Sequence, residues 1–90
     1  MLIILSDVKK QLAAFPGWEI KPKEISKIFV FADFLKAIIF LNQVATEAEK
    51  INHHPDIDIR YNKVKITLST HSEGGTTEKD LVLAKKLSAK

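Results

Sequence analysis

Three histidines, His53, His54 and His71, carry most of the chemistry this sequence can offer. Imidazole titrates near pH 6.5, so it can give and take protons at neutrality. All three fall at the ends of expected elements, where sites are usually built. His53 and His54 stand where a long helix gives way to a strand, and His71 closes a later strand before a glycine loop. Two or three imidazoles around one pocket would run a proton-in, proton-out reaction with no metal or cofactor. Glu49 lies four residues before His53, the spacing at which helical side chains meet. Its carboxylate can orient an imidazole or hold a substrate N–H. Asp80 falls in the first turn of the expected last helix, shortly after His71.

Each of these residues also has a plainer reading. His53-His54 fits a surface pair at a helix end, and His71 fits a strand-end histidine bonded to backbone. Glu49 fits a solvated helix face and Asp80 a capping residue. Trp18 is by type a core residue. Gly74-Gly75 reads as a turn, because no P-loop Lys-Ser/Thr follows. A metal site from His53, His54, Asp56 and Asp58 is disfavoured, since adjacent histidines rarely reach one ion and no His-x3-His pair exists.

The elements that must position these groups follow from pattern. Ser6 can cap a first helix to about residue 14, with Val8 and Leu12 inward, stopped by Phe15-Pro16-Gly17. Residues 18–20 alternate as a short strand, which Pro22 confines to an edge or an end. Residues 25–31 are β-branched and aromatic and read as a second strand. Asp33 is an N-cap for the longest helix, over residues 34–51. Phe34, Ile38, Leu41, Ala45 and Ala48 form its expected core stripe, with Ala37, Val44 and Ile51 beside it and Leu35, Ile39 and Phe40 outside it. Its N-terminal half is apolar nearly all round, which predicts a self-association surface. Pro55 forces His54 to be extended and ends the helix. Alternation at Ile57, Ile59 and Tyr61, then at Val64, Ile66 and Leu68, predicts a hairpin turning at Asn62-Lys63. Thr77 and Asp80 read as a capping box for a last helix with Leu81, Ala84 and Leu87 inward. The order is α-β-β-α-β-β-α. It predicts an α+β, two-layer domain: a four-stranded antiparallel sheet with helices on one face.

Composition agrees. The 90 residues are 46% hydrophobic and 28% charged, enough for one domain over 1–90 and one modest core. No cysteine is present, which excludes disulfides and thiolate zinc. Net charge is +3 and the lysines are scattered, so direct nucleic-acid binding is not expected. The longest apolar run, at residues 37–41, is far below a membrane span, and the apolar opening has no basic flank. A cytoplasmic protein is the expectation.

Taken together, the residues resemble a known family. Glu49-Lys50-Ile51-Asn52-His53-His54-Pro55, then Tyr61-Asn62-Lys63-Val64, then Leu68-Ser69-Thr70-His71, Gly74-Gly75 and Asp80 are similar to pterin-4a-carbinolamine dehydratase. Gly17-Trp18 and the run 29–34 match its layout upstream. The resemblance implies dehydration of 4a-hydroxytetrahydropterin to quinonoid dihydropterin, in the pterin cycle that supports aromatic amino-acid hydroxylases. It implies no metal and no cofactor. It makes His53 and His71 an acid–base pair and His54 chiefly a pterin-positioning group. It gives Glu49 the pterin ring N–H groups and Asp80 the orientation of a histidine. It lets Trp18 line or cover the pocket, and it draws Asn52, Pro55 and Thr70 into the site through their motifs. It also implies a homo-oligomer, dimer or tetramer, through the long helix. Animal members act besides as a dimerisation cofactor for a transcription factor, so a non-catalytic pterin- or protein-binding module is the alternative. The chain departs from the family at Asn52, often aspartate, at Lys65, histidine in animal members, and at Thr76, usually aliphatic.

Overall fold

A computed structural model describes all residues, 1–90. The order is α1 (Leu5–Gln11), β1 (Glu19–Ile20), β2 (Ile25–Val30), α2 (Phe34–Lys50), β3 (Asp56–Arg60), β4 (Lys63–Leu68) and α3 (Glu78–Ser88). A 3₁₀ turn at His71–Glu73 separates β4 from α3. The strands form one antiparallel sheet in the order β1-β2-β4-β3. The α+β, two-layer expectation holds. One sheet face, with Ile25, Val64, Ile66 and Leu68, is fully buried in a cluster shared with Val8, Val44, Leu81 and Leu87 of the three helices. The other face leaves Ile28 and Val30 exposed. No helix is long and apolar enough to cross a membrane.

Local chemistry sets the boundaries. Asp33 caps α2, its Oδ1 accepting the Lys36 N–H at 2.8 Å. Thr77 and Asp80 form the expected capping box. Pro22 stands just beyond the two-residue edge strand β1.

Four expectations are corrected. Ser6 does not cap α1: the helix starts at Leu5 with Ile4 as a cap that offers no side-chain acceptor. The hairpin turn is Tyr61-Asn62, because Arg60 pairs with Lys63, and Tyr61 takes a left-handed φ of 54°. His71 opens a 3₁₀ turn rather than closing a strand. The buried stripe of α2 runs through Ala37, Phe40, Val44, Glu47 and Ala48, while Phe34 and Ala45 are exposed. Phe40 is core because β2 and the residue after it offer aromatic partners. Its ring lies 4.7 Å from Phe29 and 5.0 Å from Phe31.

Glu47 is the charged member of that stripe, and it ties α2 to the chain's C-terminal end. Lys90 Nζ donates to it at 3.0 Å, and Lys50 and Lys86 lie within 4 Å. The Lys90 hydrogen bond holds its carboxyl below the ordinary 4.5, against partial burial, and the charges of Lys50, Lys90 and Lys86 add to that.

Candidate active site

The end of α2 places the first histidine. Lys50 is the last helical residue, and Asn52 takes a left-handed φ of 49°. The His53 N–H reaches back to the Ala48 carbonyl at 3.1 Å, and the Asn52 N–H to Glu49 at 3.2 Å. This is a Schellman closure, with asparagine at the position that needs left-handed backbone. It brings the His53 ring against the start of α3, where its side chain is 11% exposed. Asn52 therefore has a backbone reason to be present.

The last helix arrives through a second closure. Thr70 N donates to the Gly75 carbonyl at 2.7 Å, and Gly75 N returns to Thr70 at 3.4 Å. Between them the 3₁₀ turn ends on Gly74, whose φ of 73° suits glycine. The loop thus folds back on itself, carrying His71 outward and delivering Thr77 to the head of α3.

Asp80 is the centre of what results. It is fully buried. Its Oδ1 meets His53 Nε2 at 2.5 Å. Its Oδ2 accepts the Thr70 hydroxyl at 2.9 Å and the Thr77 backbone N–H at 2.8 Å. The Thr70 and Thr77 hydroxyls are themselves 2.7 Å apart. A buried carboxylate needs such donors to offset its lost hydration.

The other two histidines are held loosely. His54 Nε2 hydrogen-bonds Glu49 Oε2, with both side chains more than half exposed. His71 Nε2 lies 3.7 Å from Asp56 Oδ2, and both are over 70% exposed. Every histidine thus has its own carboxylate, at graded depth. Acid–base chemistry can use that arrangement: one imidazole is fixed in orientation and two are in contact with water.

Glu49 pairs with His54, not His53. The helix stops at Lys50, so the four-residue spacing to His53 is no longer helical. Trp18 is not brought to the cluster. It is core, with Nε1 donating to Ser88 Oγ at 2.8 Å and its ring edge-on to Phe29. Ser88 stands at the far end of α3, about 12 Å along the axis from Asp80 at 1.5 Å per residue. Pro55 sits between His54 and β3 and sets the extended path. Asp56, weighed from sequence only as a metal ligand, and Thr77, read only as a cap, are the contributors whose place beside the histidines was missed. Asp56 pairs in register with Thr67 of β4, so only the sheet brings it near His71. A hollow of about 170 Å³ on the bare sheet face is lined by Ile28, Asp58, Arg60, Lys63 and Lys65. It shares no residue with the histidine cluster and offers no imidazole.

Comparison with known proteins identifies the family. The family model described as pterin 4 alpha carbinolamine dehydratase matches residues 4–90. A protein of Acidobacterium capsulatum, provisionally named pterin-4-alpha-carbinolamine dehydratase, is 45% identical over 82 residues, covering 91% of this chain and 89% of its own. A solved transcriptional coactivator/pterin dehydratase from Brucella melitensis superposes with a TM-score of 0.92 at 40% identity, covering 99% of this chain and 97% of that one. A pterin dehydratase-like protein solved as a RuBisCO assembly factor of the alpha-carboxysome superposes at 0.66, with 26% identity and coverage of 80% and 83%.

Proposed function

The chain belongs to the pterin 4 alpha carbinolamine dehydratase family, and from that premise we propose that it removes water from a 4a-hydroxytetrahydropterin. The observation that carries the reading is the set of three histidines, each with its own carboxylate, headed by buried His53–Asp80. The reaction breaks the C4a–O bond and the N5–H bond and forms a C4a=N5 double bond. The hydroxyl leaves as water only after gaining a proton, and N5 must lose one. His53 takes the N5 proton. Its hydrogen bond to Asp80 persists whether the ring is neutral or cationic, so the ring keeps its aim as the proton comes and goes. His71, open to solvent, protonates the leaving hydroxyl and is recharged from water. His54 and Glu49 hold the pterin ring, the carboxylate accepting its N–H groups. The product is quinonoid dihydropterin, the oxidised partner of a reductive cycle such as the one that serves aromatic amino-acid hydroxylases.

Stopped-flow absorbance of chemically prepared 4a-hydroxytetrahydropterin, with and without the protein, tests this. Acceleration that falls about 10²–10⁴-fold in His53→Ala and in His71→Ala is the expected result. No acceleration by the folded parent would remove the reading.

The exposed face of α2 supports a homo-oligomer, dimer or tetramer. Leu35 and Ile39 are 67% and 49% exposed one turn apart, with Phe34 on the flank at 52%. Such a stripe is seldom left in water. The same stripe favours the second reading, a module that binds a partner protein and needs no turnover. The relatives solved as a coactivator-type protein and as an assembly factor lend it weight. A parent that turns over pterin and whose native-extract complexes contain only itself decides for the enzyme.

A further inference from the structure

The protons around Asp80 can be counted. The Thr77 N–H only donates, and it donates to Oδ2. The Asp80 backbone N–H turns back on Thr77, donating to its carbonyl at 3.1 Å beside the hydroxyl of the capping box. Each threonine hydroxyl owns one proton. With the Thr70 proton on Asp80 Oδ2, the 2.7 Å contact between the two hydroxyls takes its proton from Thr77. The chain of donors then runs one way, from Thr77 to Thr70 to the carboxylate. Two donors converge on Oδ2, the arrangement of a carboxylate that only accepts, and Oδ1 is left as its remaining acceptor. The 2.5 Å contact at Oδ1 is therefore a donation from His53 Nε2. A neutral imidazole with its proton on Nε2 carries its free lone pair on Nδ1.

We infer that Thr70 and Thr77 are positioning residues that fix the His53 proton on Nε2 and make Nδ1 the atom through which His53 exchanges a proton with substrate. The final step rests on the dehydratase reading, whereas the tautomer is a property of the folded chain. When Nδ1 receives the N5 proton, the ring becomes a cation that still donates from Nε2, and Asp80 takes up none. The proton later leaves from the same nitrogen. Both threonines are buried beneath the ring. Two donors on Oδ2 stop the carboxylate from turning, so Oδ1 stays aimed at the ring.

Histidine-specific ¹⁵N NMR on the full chain in alkaline buffer reads the tautomer directly. The expected spectrum shows Nε2 of His53 as an N–H with a downfield, slowly exchanging proton, and Nδ1 bare. Thr70→Val keeps the side chain's shape and removes the donor. It should speed exchange of that proton about tenfold and lower kcat by about tenfold, with KM within about twofold. Thr70→Ser should restore both. A His53 proton on Nδ1 in the parent overturns the inference, and this measurement needs no variant to fold. An unmoved Nε2 proton together with unchanged kcat in Thr70→Val overturns the part given to the threonines. The expected tautomer in a parent that does not dehydrate the pterin upholds the assignment and removes only the dehydratase reading.

Discussion

Replacing Asp80 by asparagine changes one oxygen into an NH₂ group at a site with three donors and no solvent. The carboxylate accepts from His53 Nε2 at 2.5 Å, from Thr70 Oγ1 at 2.9 Å and from Thr77 N at 2.8 Å. The amide has two orientations. With NH₂ at the Oδ2 position it faces the Thr77 N–H, which cannot reverse, and a buried donor is left unmet at about 1–3 kcal/mol. With NH₂ at the Oδ1 position it faces His53, which can respond by moving its proton to Nδ1. The second orientation satisfies every group, so Asp80→Asn should adopt it and swap the ring's tautomer. Three bonds to a charged group, each worth about 1.5–3 kcal/mol, then become neutral bonds worth about 1. A net loss of roughly 2 kcal/mol follows, because the buried charge also no longer has to be desolvated. For a chain of this size that lowers Tm by about 8–16 °C and leaves the protein folded. Catalysis should suffer more: a general base presented in the wrong tautomer costs about 10²–10⁴ in turnover. Stopped-flow dehydration measured beside thermal melting by circular dichroism gives both numbers. Turnover within about threefold of the parent, with an unshifted Tm, would show that Asp80 neither orients His53 nor stabilises the fold, and the reasoning would fail.

Glu49→Gln should raise KM several-fold and move Tm little, since an exposed ion pair is worth only about 0–1 kcal/mol; a large loss of stability would contradict the exposed placement of that pair. Glu47 has a folded-state carboxyl held below its ordinary 4.5, chiefly by Lys90. Its contribution is therefore fully present above that value and is lost as pH falls through and below it. Glu47→Gln should flatten the acid limb of stability against pH, and parallel limbs would argue against the cluster. The Thr76 hydroxyl is buried without a partner, so Thr76→Val should stabilise by about 1–2 kcal/mol in urea titrations; a destabilised variant would mean that the hydroxyl has a partner after all. Ile39→Glu should dissociate the oligomer in sedimentation without lowering helicity, whereas an unchanged mass would remove the α2 face as the interface.

Punctuation made the histidines legible. Pro55, Gly74, Asp33 and Thr77 each fix an element end by backbone chemistry, and the site is built at those ends. The phase of α2 was not legible, because residues 34–41 are apolar at nearly every angle and periodicity has no minimum to find there. Phe40 turns inward for a reason outside its own helix, the rings of Phe29 and Phe31. Glu49 was matched to the wrong imidazole because the helix stops at Lys50, short of His53, and Asn52 is the residue that decides it. Asp56 was invisible as a partner of His71, because strand pairing rather than sequence distance brings it near. Asp80 gives the strongest lesson. Read from sequence, capping and chemistry competed for it as alternatives. In the structure one oxygen closes the capping box of α3 and the other holds His53. The helix start is thereby rigid because the site needs it, and the site is rigid because the helix does. A substitution at Asp80 should therefore never separate the two effects, whereas Thr70, which lies outside the helix, can lose its hydroxyl while the Thr77–Asp80 capping box stays in place.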